Sequence, residues 1–118
     1  MNLQRSLSLV FLFLLCAAFL PFHHGWADYD QDTKLDYIGT IEQVTYENPH
    51  AIAKVTDKKK TWTVVLAPIS RLQERGVSAD MLKKGTSVRV VGYPHREIKE
   101  EMRAERIFLN GSKYELRR

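Results

Sequence analysis

Only one cysteine occurs in this chain of 118 residues, and it falls at position 16, so no disulfide within the chain is available to hold the fold. Histidine is almost as scarce, limited to His23, His24, His50 and His95. The six glycines are scattered and build no phosphate-cradling loop. There is no HExxH helix, no glycine-flanked serine elbow and no cysteine nucleophile beyond the leader, so the chain reads as a protein that is not an enzyme. Glu100-Glu101 and Asp28-Asp30 are paired carboxylates, but both lie in polar runs where a solvated surface is the expected state. The charge balance of 18 basic against 14 acidic residues is mild, and Lys58-Lys59-Lys60, the only basic run, sits in a predicted hairpin turn. A phosphate-tracking protein concentrates positive charge in a patch, so no nucleic-acid partner is expected.

A long apolar run is present, but only at the start. Arg5 precedes an apolar stretch from Leu7 that ends at Pro21-Phe22, short of the roughly 20 residues that span a bilayer as a helix. Small residues at Cys16-Ala17-Ala18 follow the apolar core, as a signal peptidase requires. The expected organisation is a signal peptide at 1–18, an N-terminal arm at 19–34 and one domain at 35–118, with the mature protein in the periplasm and no stable membrane span. Cleavage after Ala27 instead would discard His23 and His24.

Within the mature chain, Leu35, Tyr37, Gly39 and Ile41 alternate as one face of a strand, whereas Val44 and Tyr46 continue on the other parity. That change implies an inserted residue near Glu42 and Gln43, and a bulged, bent strand can begin to close a barrel. Asn48-Pro49-His50 ends it, since proline lacks the N–H that would continue the ladder. Ala51 to Val55 and Thr61 to Leu66 read as two further strands, with Trp62, Val64 and Leu66 inward. Pro68 to Gly76 has helical spacing, and a second turn capped by Ser78 closes at Gly85. Thr86 to Gly92 and Met102 to Leu109 are strands four and five, the latter with a second parity change between Ala104 and Ile107. Asn110-Gly111 then predicts a tight hairpin, with Tyr114 and Leu116 on the returning strand. Three strands, a short helix and two strands predict a mostly β fold: a small five-stranded OB-fold-like barrel with one short helix and a C-terminal hairpin extension. An open β-roll with the same strands is the competing architecture.

His23-His24-Gly25-Trp26, Gly39-Thr40-Ile41, Asn48-Pro49-His50, Trp62-Thr63-Val64 and the stretch from Met102 to Ile107 together resemble the bacterial family known as domain of unknown function 6152. The resemblance covers essentially the whole mature chain and implies a small exported protein, with no activity attached. It departs from the family pattern after Gly92, where a histidine is common and this chain has Tyr93, with His95 two residues on.

Imidazole nitrogens without a thiolate suit Cu(II) or Zn(II). The site expected from the sequence is a copper or zinc ion held by His24 and His50, with His23 as third and His95 as possible fourth ligand, and Trp26 as a shield. Met81 and Met102 are weighed as thioether ligands for Cu(I), but their apolar spacing places them in the core. Oligonucleotide stacking on Tyr46 and Trp62 is set aside, since Trp62 shares the inward face with Val64 and Leu66. The alternative is a metal-free interaction barrel that binds an envelope protein or a ligand, with Thr61, Thr63 and Arg89 on the binding face.

Overall fold

Residues 25–118 are described by a computed structural model. The signal peptide, its cleavage point, Cys16, His23 and His24 lie outside the described residues. The strand that the alternation from Leu35 demands is β1 (Leu35–Thr45). Its pairing with β2 (Ile52–Thr56) jumps from Ile41↔Val55 to Gln43↔Lys54, which leaves Glu42 as the extra residue of a bulge. The bend lets one strand serve two neighbours: its second half pairs with β2, its first half with β4 (Ser87–Pro94).

Thr61 to Leu66 supplies β3 (Thr61–Val65), which pairs antiparallel with β2. The barrel closes where β3 runs parallel to β5 (Glu101–Leu109), Thr63↔Glu101 to Val65↔Arg103. The strand order β3-β2-β1-β4-β5, with β3 joined to β5, is that of the five-stranded OB barrel. Asn110 and Gly111 take the positive φ values, 50° and 81°, that a tight hairpin needs, and β6 (Ser112–Glu115) returns along β5 outside the closed barrel.

Ile41, Val55, Val64, Val90, Met102 and Ile107 fill the interior. Full burial of such a side chain contributes about 1.5–3 kcal/mol. Between β3 and β4, the helix α1 (Ile69–Glu74) and a 3₁₀ turn at Ala79–Leu82 bring Leu72 and Leu82 into that core.

One expectation needs correction. Strand four continues to Pro94 rather than stopping at Gly92, so the loop begins at His95. Thr61 lies in one row with Thr56, Thr40 and Ser87 across β3-β2-β1-β4, and Arg89 is two residues beyond Ser87 on the same outward parity. Arg89 is occupied by a two-pronged bond to Asp36, 2.9 and 2.8 Å, and lies over the Phe108 ring.

Candidate functional site: a groove beneath the arm

The stretch from Asp28 to Lys34 reads as polar linker, but its one aromatic residue anchors it. Tyr29 is buried, forms an isolated antiparallel bridge with His95, and donates its hydroxyl to Glu101 Oε2 at 2.8 Å. Burial, then this bond, raises the Tyr29 pKa well above the ordinary phenol value, so the hydroxyl stays a donor. The same contact corrects the expectation that Glu101 is solvated. Backbone bonds complete the strap: Asp30 N–H to the Pro94 carbonyl at 2.8 Å and Arg96 N–H to the Asp28 carbonyl at 2.9 Å.

Beneath the strap lies a groove of about 820 Å³. Trp26 of the arm, the Pro49-His50 corner and the side chains of Ile52 and Val65 give it apolar walls. The Asn48–Pro49 peptide is cis, and the chain after the corner is pinned by reciprocal backbone bonds: Ala51 N–H to the Ala67 carbonyl and Leu66 N–H to the Ala51 carbonyl, both 2.9 Å. His50 is therefore presented into the groove from a fixed backbone.

Charged side chains of both signs line the groove. Arg71 from α1, Arg103 from β5 and Arg118 from the C-terminus line it, together with Asp28 and Glu101. Arg103 alternates with the core residues Met102 and Ala104 and so points away from the barrel interior, yet it is only 8% exposed. Trp26 covers it: the guanidinium lies 4.5 Å from the indole centroid, and Arg117 lies 4.2 Å from the same ring. Among the described residues the buried Arg103 Nε has no hydrogen-bond partner. Burial lowers the Arg103 pKa from the usual guanidinium value; Arg71 and Arg117 act in the same direction, against Tyr29.

His50 and His95 both line this groove, so the fold brings together the two described members of the expected ligand set. Their chemistry differs. His95 Nδ1 already accepts the N–H groups of Glu97 and Ile98 at 3.1 and 3.0 Å, and its Nε2 lies 3.9 Å from Glu101 Oε2. His50 is kept below the ordinary histidine pKa by burial, then by Arg103 and Arg71. Among the described residues no group of three or more His, Cys, Asp or Glu is placed to hold a metal ion. The thioethers are engaged elsewhere, Met102 by the Tyr37 hydroxyl at 3.1 Å and Met81 by the Ser78 N–H at 3.5 Å. Tyr46 donates to the Val77 carbonyl, and Trp62 is buried against Tyr37, so neither offers an open stacking platform. No helix among the described residues is long and apolar enough to cross a membrane.

The residue that sequence reasoning missed is Arg103. Strand alternation places it outside, and an outside arginine reads as solvated; only the arm, more than seventy positions away, turns it into a buried one.

The model of a family described as "Family of unknown function (DUF6152)" matches residues 13–103. No curated protein matches the chain. Among solved structures, the crystal structure of the ZRD-deleted mutant of TiaS in complex with agmatine is similar, with a TM-score of 0.54 and 22% identity over 75% of this chain. The match spans 28% of that protein's chain, and at this identity it shows the fold alone.

Proposed function

This chain belongs to the family of unknown function DUF6152, and from that premise we propose that it is an exported, periplasmic, metal-free binding module whose ligand occupies the groove beneath the arm. The carrying observation is Arg103: a buried guanidinium with an unpartnered Nε–H, at a groove where arm, corner and β5 converge. A buried donor left without a partner costs about 1–3 kcal/mol. A ligand that moves the covering Trp26 ring aside and accepts this hydrogen bond recovers that cost.

A second reading, copper or zinc capture by His50 and His95 with His23 and His24, is favoured by the meeting of the first two in one groove. Against it, the guanidiniums of Arg71, Arg103 and Arg118 outnumber the carboxylates of Asp28 and Glu101 in the groove, and one His95 nitrogen is already spent. The test is the native mass of the untagged protein purified from the periplasm. Expected is a chain beginning at Phe19 with an organic adduct. A copper or zinc increment with no organic adduct overturns the metal-free reading.

The two readings also differ in sign with pH. Because the His50 pKa is depressed in the fold, the unfolded chain takes up the proton first, and stability declines as pH falls from the ordinary histidine value toward the folded one. Below that window His50 is protonated in the fold as well and adds positive charge to the groove. Retention of an acidic adduct is expected to increase as pH falls, whereas a histidine-held metal is released.

A further inference from the structure

Building on the groove reading above, we propose that the ligand is an amphipathic oxyanion, a carboxylate or phosphate group on an apolar body, with Arg103 reading the charged end. Three observations converge on this chemistry. Arg103 is only 8% exposed, lines the groove, and has its Nε–H unpartnered among the described residues. Nε–H and a neighbouring Nη–H form the planar fork that matches two oxygens of a carboxylate or phosphate. The charge of the groove leans the same way: Arg71 and Arg118 share it with Arg103, three guanidiniums against the carboxylates of Asp28 and Glu101, and Glu101 is already held by the Tyr29 hydroxyl at 2.8 Å.

The body of the ligand is read from the walls. Trp26, Pro49, Ile52 and Val65 surround the cationic floor with apolar surface, and Ile52 is 36% exposed beside it. A groove of about 820 Å³ is far larger than a lone inorganic anion needs. It lies within the range of about 300–1,000 Å³ usual for organic ligands. An anion with a tail uses both features; a cation or an uncharged tail uses only one.

The test is calorimetric titration of the purified mature chain with four probes that share a ten-carbon tail: decanoate, decyl phosphate, decanol and decyltrimethylammonium. Decanoate or decyl phosphate is expected to bind more tightly than the other two, and the tighter of the pair identifies a carboxylate or a phosphate source. Arg103→Met should weaken the preferred anion by about tenfold to a hundredfold, the loss of a charge-assisted bond. Since Arg103 is buried, Arg118→Gln on the exposed C-terminus serves as a second variant, with an expected loss of roughly twofold to fivefold. Decanol or decyltrimethylammonium binding as tightly as the anions, and weakened by a bulky Val65→Trp change, overturns the anion assignment and leaves the groove as the binding site. No heat from any probe, or anion binding insensitive to all three substitutions, overturns the anion assignment and the groove together.

Discussion

Gly92→Ala is expected to leave little folded protein. An added Cβ would overlap the backbone carbonyl oxygen of Arg103 and sit 2.9 Å from the Ala104 Cα. Both obstacles are backbone atoms of the neighbouring strand and cannot rotate away. The reason lies in the second bulge: the register between β4 and β5 passes from Val91↔Arg106 to Gly92↔Ala104, so Glu105 is the extra residue. The bulged strand presses against β4 at Gly92, and only a residue without a side chain fits there. Alternation from the inward Met102 and Ala104 turns Glu105 outward, where its carboxylate accepts the Tyr93 hydroxyl at 3.1 Å and lies 3.4 Å from Arg106 and 3.6 Å from Arg117. A loss of more than about 3 kcal/mol in urea unfolding is expected, above the usual overpacking penalty because backbone rather than side chain must move. Gly76→Ala provides the comparison. That glycine has φ +82° but nothing within 4 Å of an added Cβ, so only the backbone conformation resists, at about 1–2 kcal/mol. Equal losses at the two positions would mean that the close approach at the bulge is not what governs β4–β5 pairing.

Arg103→Met is expected to separate stability from binding. The guanidinium is buried beside Arg71 and Arg117 with an orphan Nε–H, and an apolar side chain of comparable length removes that penalty. The contact with Trp26 is lost, but Arg117 still covers the same ring. The net change should raise unfolding free energy by about 1 kcal/mol, the difference between an unsatisfied buried donor and one cation–π contact. Ligand capture should fall at the same time. A residue that merely holds the arm in place would behave in the opposite way. A loss of more than about 2 kcal/mol on substitution would assign Arg103 to structure, and the unpartnered Nε–H would no longer argue for a ligand.

Much of the barrel is legible in the sequence, because its signals are local. The parity change after Ile41 became the bulge at Glu42, and the one between Ala104 and Ile107 became the bulge at Glu105. Asn110-Gly111 turned the chain as its two residues require. The Asn48-Pro49-His50 corner was also readable, since proline's missing N–H acts within three residues. The groove was not. Its cations come from α1, β5 and the C-terminus, and no window of sequence shows Arg71, Arg103 and Arg118 as neighbours. Tyr29 sits in a polar run whose lack of periodicity hides that it is an anchor; its burial is decided by Glu101 and His95 across the fold. The rarity of histidine makes the four residues conspicuous in the composition. The chemistry of their surroundings, two arginines acting on His50 and two N–H donors on His95, becomes visible only when strands are paired.

The most direct test of the account is the side-chain Nε–H resonance of Arg103 in nitrogen-15-labelled protein, followed as decanoate is added and, separately, as Zn(II) is added. An anion received by Arg103 should move that one guanidinium signal downfield, saturably and with the calorimetric affinity, while Zn(II) leaves it in place. An Arg103 signal that stays fixed through saturation with decanoate, while Zn(II) shifts the ring resonances of His50 and His95, would contradict the anion groove and return the site to the metal.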